Sequence, residues 1–202
     1  MRTIVFDTET TGLKPGNICQ LAYIIEDDGS ATRQQGYNFF FRVDYVEPGA
    51  ERVHGFDVDM LAALSGGKVF SDHAAQIYGD FESCPLWVAH NFTFDNSFLT
   101  AELRKSGLHL VVEKQLCTMR SYTPILKLPS SWSKGGAPRF KYPNLTELIT
   151  FFDISDSEIS DFASKAFDTD FNGLNRHDAR FDCAATYMCY KRGIEKNLLL
   201  IT

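Results

Sequence analysis

The chain has 202 residues, a net charge of -6 and 44% hydrophobic residues. That is ample apolar content for a packed core and a length that fits a single domain, residues 1–202. The acidic balance argues against a protein that coats duplex nucleic acid non-specifically, because such binders are usually basic. Five cysteines without C-x-x-C spacing argue against a zinc site or a disulfide framework and point to a reducing cytosol. No apolar run reaches membrane-spanning length, and Met1-Arg2-Thr3 leads straight into strand character, with no sign of a leader peptide.

Residues 2–7, β-branched and aromatic, read as a first strand, and Asn17 to Ile25 as a second. Asp27-Asp28-Gly29-Ser30 signals a turn, and Tyr37 to Val43 a third strand, so the first part predicts an antiparallel meander. Val53 to Leu64 reads as a loop and helix ended by Ser65-Gly66-Gly67. Ser71 is a candidate N-cap for a helix through Ala74, Ile77, Tyr78 and Phe81. Leu86-Trp87-Val88-Ala89 is a compact buried strand. A helix follows, with Phe94, Phe98, Leu99 and Leu103 at helical spacing, stopped by Gly107. Leu110 to Val112 and Gln115 to Met119 read as a further strand region, and the helix–strand alternation implies parallel crossovers. About 124–143 is irregular and basic. Asn144 then caps a helix, Leu145 to Phe152; Asp153 to Asp170 reads as a short solvated helix, and Asp178 to Lys191 as a long one. The fold class expected is α/β, a mixed sheet flanked by helices.

The chemistry starts at Asp7 and Glu9. Residues i and i+2 of a strand share a face, so the two carboxylates aim at one spot. Like charges held that close repel unless a cation lies between them, and hard oxygen ligands suit Mg²⁺ or Mn²⁺. Two further acids are candidate partners. Asp95, in His90-Asn91-Phe92-Thr93-Phe94-Asp95, falls in the first turn of a helix, where the macrodipole favours negative charge. Asp182, in His177-Asp178-Ala179-Arg180-Phe181-Asp182, shares a helix face with Ala185 and Cys189, where an unpaired carboxylate would be expensive. His177 lies just before that helix, free to lean over a site.

Asp-x-Glu-Thr-Thr-Gly-Leu, then His-Asn-x-x-Phe-Asp, then His-x-Ala-x-x-Asp-x-x-Ala-Thr, in this order, resembles the DEDDh 3′–5′ exonucleases, the group of the proofreading epsilon subunit, RNase T and oligoribonuclease. The resemblance spans Thr3 to about Tyr190. It implies a ribonuclease-H-like fold with a five-stranded mixed sheet. It also implies catalytic residues Asp7, Glu9, Asp95, His177 and Asp182, the four carboxylates holding two Mg²⁺ or Mn²⁺ ions and His177 taking a proton from the attacking water. Two ions about 3.5–4 Å apart would stabilise both the attacking and leaving oxygens, and histidine suits the base role near neutrality. By the same resemblance Leu13 wedges against terminal bases, the backbone at Thr10 and Thr11 meets the 3′-hydroxyl, and His54 and Phe56, with Asn91 and Phe94, belong to the terminal-nucleotide pocket. The plainer alternatives are a core leucine for Leu13 and a satisfied structural histidine for His54. The Phe39-Phe40-Phe41 run reads as sheet packing.

The expected activity is release of nucleoside 5′-monophosphates from single-stranded 3′ ends, DNA favoured. The alternatives are RNA trimming by the same chemistry, a silent module that holds 3′ ends or a polymerase, and a metallophosphatase of small esters. A DNA polymerase is a candidate partner and a membrane is not. In the basic segment, Lys127, Lys134, Arg139 and Lys141 interleave with Trp132, Phe140 and Tyr142, a pattern that fits single-strand binding. Replacing Lys134, Arg139 and Lys141 by alanine is expected to weaken oligonucleotide binding and flatten its salt dependence. An unchanged slope in a salt titration would remove the segment from the contact surface.

Overall fold

The computed structural model describes residues 1–27, 34–130, 140–169 and 176–199. Strands β1 (Arg2–Thr10), β2 (Ile18–Asp27) and β3 (Gln34–Phe40) form an antiparallel meander. Strand β4 (Leu86–Ala89) pairs parallel to β1, and β5 (Lys114–Cys117) parallel to β4. The resulting order, β3-β2-β1-β4-β5, is the mixed five-stranded sheet expected. Among the described residues eight helices accompany it: α1 (Pro48–His54), α2 (Val58–Leu64), α3 (Phe70–Glu82), α4 (Phe92–Lys105), α5 (Thr118–Leu126), α6 (Leu145–Phe151), α7 (Asp156–Phe167) and α8 (Ala179–Glu195).

Burial on both faces explains why β1 reads as an unbroken apolar run rather than an alternating one. Val5 joins Ala22, Ile24 and the inner side of α8 in one core. Ile4 and Phe6 join Ile77, Phe81, Phe98 and Leu99 of α3 and α4 in the other. Phe6 meets Phe81, Trp87 and Phe92 edge-on, with centroids 5.2–6.1 Å apart. The period-2 alternation therefore puts Asp7 and Glu9 on the α8 side and Thr8 on the α4 side. The β1–β2 register slips between Glu9 and Thr10, so β2 carries one extra residue, Cys19, at the end where the two acids sit. Such bulges bend a strand and re-aim its side chains.

Several sequence expectations need correction. β1 runs on through Thr10, so both acids lie inside the strand. The stretch from Val53 to Leu64 is divided between α1 and α2, with Gly55 in the left-handed region at φ 80° ending the first. Ser71 is not a cap: α3 starts at Phe70, and the Asp72 carboxylate accepts the Val69 N–H at 2.8 Å. Residues 110–112 are not a strand, and Val111 is exposed. Pro124, expected in the irregular stretch, lies inside α5. The acidic Asp156–Phe167 segment is not solvated all round: Ile159, Ala163 and Phe167 are buried. The turn at Asp28-Gly29-Ser30 and residues 131–139 of the basic segment, Trp132, Lys134 and Arg139 included, lie outside the described residues. Of its other cations, Lys141 is ion-paired with Glu147 at 2.5 Å. All five cysteines are free thiols, and the aromatic run does pack in the sheet, Phe39 stacking on Tyr23 and Phe41. No helix among the described residues is long and apolar enough to cross a membrane.

Gly193, in α8, sits where an added Cβ would overlap the Tyr122 hydroxyl, which itself donates to the Cys189 carbonyl at 2.9 Å. A glycine-to-alanine change inside a helix ordinarily stabilises by about 1 kcal/mol. Gly193→Ala is expected to do the opposite, destabilising by about 1–3 kcal/mol through overpacking, and a lower Tm in a thermal melt checks it.

Candidate functional site

The carboxyl ends of β1 and β4, where the chain turns from meander to parallel crossover, form the switch point at which open α/β sheets place their ligand sites. Four elements deliver side chains there. β1 supplies Asp7 and Glu9 from its α8 face. β4 ends at Ala89, and after His90, Asn91, left-handed at φ 62°, turns the chain into α4. Asparagine tolerates that conformation better than most residues. The turn puts Asp95 in the first turn of α4, 3% exposed, where Oδ1 accepts the Thr8 N–H at 3.1 Å and the Thr8 hydroxyl at 2.7 Å. Thr8, between the two acids on the opposite face, thus fixes the third.

At the other end of the chain His177 is also left-handed, φ 71°, and its N–H donates to Asp182 Oδ2 at 3.3 Å. The kink sets the imidazole apart from the periodicity of α8. Asp178 then caps α8, accepting the Arg180 N–H at 3.0 Å. It is held twice more: by the Arg180 guanidinium, at 2.9 and 2.7 Å, and by the Gln20 amide at 2.9 Å. Gln20 is fully buried, sits opposite Glu9 on β2, also donates to Asn38, and accepts the Ala179 N–H at 3.0 Å. A glutamine inside the apolar strand Ile18–Ile25 needs such partners. That was the available signal for a residue sequence reasoning passed over. Asp178 belongs to the same motif as His177, and the left-handed turn at His177 followed by the Asp178 N-cap explains how the histidine is aimed.

The electrostatics are those of an acidic cluster short of cations. Burial, then repulsion from Asp95, Asp182 and Glu9, holds Asp7 well above the usual carboxylate range. Burial, then Asp182 and Asp95, does the same for Glu9. Burial lifts Asp95 to about 7 against the lowering effect of the Thr8 bonds, and lifts Asp182 to about 6 against the pull of His177. No lysine or arginine among the described residues forms an ion pair with any of the four; the guanidinium nearest in sequence, Arg180, is spent on Asp178. Ligand atoms of Glu9, His177 and Asp182 lie within 4.8 Å of one another. Four hard oxygen donors crowded with no ion-paired lysine or arginine fit divalent cations.

Beside the acids opens a cavity of about 420 Å³, walled by Thr8, Glu9, Thr10, Leu13, Ala50, Val53, His54 and Phe94. Leu13 is 82% exposed, which excludes the core-leucine reading. His54 accepts the Phe56 N–H at Nδ1, 3.0 Å, so Nε2 carries the proton and reaches the Thr10 carbonyl at 3.3 Å. It is both structurally satisfied and part of the wall, and burial pushes its pKa down. Phe56 stands behind it, stacked at 5.2 Å, rather than on the cavity wall. Thr11 faces a second cleft across the chain, and Asn91 acts through its backbone turn.

No family model matches the chain, and no curated protein matches it by sequence. Solved structures do. Exonuclease X in complex with 5′-overhanging duplex DNA superposes with a TM-score of 0.60 at 22% identity, over 96% of this chain and 93% of that one. A structure of exonuclease I gives 0.69 at 20% identity, and the zinc-bound form of an E. coli exonuclease I–single-stranded DNA complex gives 0.68 at 20%, each over 98% of this chain. The chain spans less than half of the exonuclease I chain, 42%. At these identities the likeness is one of fold.

Asp95 and Asp182 bind a proton more tightly folded than unfolded. The stability this contributes is full below about 3.8 and is lost as pH climbs through about 6 and 7. Metal-free protein is therefore expected to melt a few degrees lower at pH 7.5 than at pH 5, at about 2–4 °C per kcal/mol. Mn²⁺ is expected to raise Tm far more at the higher pH. Melting curves in EDTA and in Mn²⁺ at both pH values check this; a Tm indifferent to both would contradict it.

Proposed function

We propose that the chain is a metal-dependent 3′–5′ exonuclease of the DEDDh type that acts on single-stranded 3′ ends, DNA favoured, and releases nucleoside 5′-monophosphates. The observation that carries this reading is the meeting of Asp7, Glu9, Asp95, His177 and Asp182 beside a cavity walled by Leu13, Val53, His54 and Phe94. The fold shared with exonucleases I and X supports it. An acidic site for a polyanion makes sense only with cations present. Divalent ions held by the four carboxylates would activate water and offset charge on the phosphate.

The chain's own residues supply the rest. His177, held off α8 by its left-handed turn, takes the proton of the attacking water. Asp182 accepts the His177 backbone N–H and keeps that turn closed. The terminal base enters the apolar cavity, against Leu13 and Phe94. Contacts to base faces are worth about 1–3 kcal/mol each and tolerate any sequence. The end of β1, its Thr10 carbonyl tied to His54, supplies the backbone that meets the 3′-hydroxyl.

The test uses 5′-labelled oligonucleotides, as DNA and as RNA, with Mg²⁺ or Mn²⁺. A ladder shortening from the 3′ end, faster on DNA and abolished by EDTA, is expected. His177→Ala is expected to lower kcat by about 10²–10⁴-fold with oligonucleotide binding retained. Binding without cleavage by the unaltered protein, or cleavage confined to small phosphate esters, would overturn the reading.

A further inference from the structure

Helix α4 does a second job at its far end. Glu102 lies two turns after Asp95 on the same helix face, about 10 Å along the axis. It is buried, 7% exposed, and accepts the Ile18 N–H at 3.4 Å. Lys105, one turn on, approaches Glu102 at 3.4 Å and Asn17 Oδ1 at 3.4 Å, and donates to the Gly16 carbonyl. Gly16 has φ 121°, a backbone conformation that favours glycine, and a Cβ there would come within 3.1 Å of the ammonium.

These bonds hold the connection from β1 to β2, Thr11–Asn17. Its base is closed by the Thr11 N–H to the Asn17 carbonyl, 3.0 Å, and its first residue is tied to the Glu47 N–H, 2.8 Å. The Thr10 hydroxyl donates to the Gly12 carbonyl at 2.9 Å. Gly12 and Glu47 line both the 420 Å³ cavity and a second cleft of about 570 Å³, which is floored by Ile18, Glu102 and Lys105. The Glu47 carboxylate packs where any Gly12 side chain would stand. The loop is thus a thin partition between two cavities, with Leu13 on one side.

We propose that Glu102 and Lys105 are positioning residues that, through α4, hold this partition and Leu13 at a fixed depth relative to Asp95, so that one nucleotide fits between the reacting phosphate and the end wall. Released, the wall gives way into the cleft behind it, which is larger than the cavity in front. The inference rests on the exonuclease reading for its product, not for its mechanics.

Lys105→Met keeps the aliphatic stem and removes the bonds. Expected are faster amide hydrogen exchange in peptides covering 11–17 with sheet peptides unchanged, a KM raised about tenfold with a smaller fall in kcat, and dinucleotides released alongside mononucleotides. Lys105→Arg is expected to restore mononucleotide release, and Glu102→Gln to fall between. Unchanged exchange in 11–17, or mononucleotides alone from Lys105→Met, would overturn the proposal. If the unaltered protein fails to cleave, the exonuclease reading falls, and the exchange experiment still decides whether the clamp exists.

Discussion

Repulsion among buried carboxylates governs this molecule. Asp7, Glu9, Asp95 and Asp182 are brought together at the end of the central strand, and burial raises all four above their ordinary range, with repulsion from the others adding to it at Asp7, Glu9 and Asp95. A fold does not gather such groups for stability; each would be better solvated elsewhere. The surroundings offset the strain without dispersing it. Thr8 gives Asp95 two bonds, His177 gives Asp182 one, and the Gln20–Asp178–Arg180 network locks the start of α8 against β2. These devices hold the acids still and leave their charge unmatched.

Much of this was legible in the residues. Asp7 and Glu9 two apart in a strand and Asp182 on the packed face of a helix are periodicity arguments, Asp95 is a helix-dipole argument, and a mixed sheet follows from a meander and then crossovers, whereas the number of strands came with the family resemblance. What failed has a physical reason in each case. Asp153 to Asp170 was read as solvated because its acids dominate, but Ile159, Ala163 and Phe167 fall at helical spacing and find α8 and β3. Leu110 to Val112 has strand composition but no partner strand in the sheet. Ser71 lost the cap to Val69 because Asp72 could reach back to its N–H. The family resemblance assigns Phe56 to the nucleotide pocket, but its ring completes a small core under Phe40. Long-range hydrogen bonds such as Thr8 to Asp95, 87 residues apart, leave no local pattern to read.

The two helices that frame the site divide the labour. α8 lies across β1 and β2 and brings Asp182 with it; its close approach depends on small residues, Ala184, Ala185 and Cys183, the last donating to the Val5 carbonyl at 3.2 Å. α4 lies on the opposite face and carries carboxylates near both ends of one stripe, one facing the acidic cluster and one facing the chain that leaves β1. The same strand is thus gripped from both sides of the sheet.

The bond between Cys183 and Val5 joins residues 178 positions apart. Synthesis makes β1 well before α8, so the acidic centre stays incomplete until the stretch between them has been made. Such non-local closure slows folding. It also means that a chain interrupted anywhere before α8 carries no assembled acidic centre.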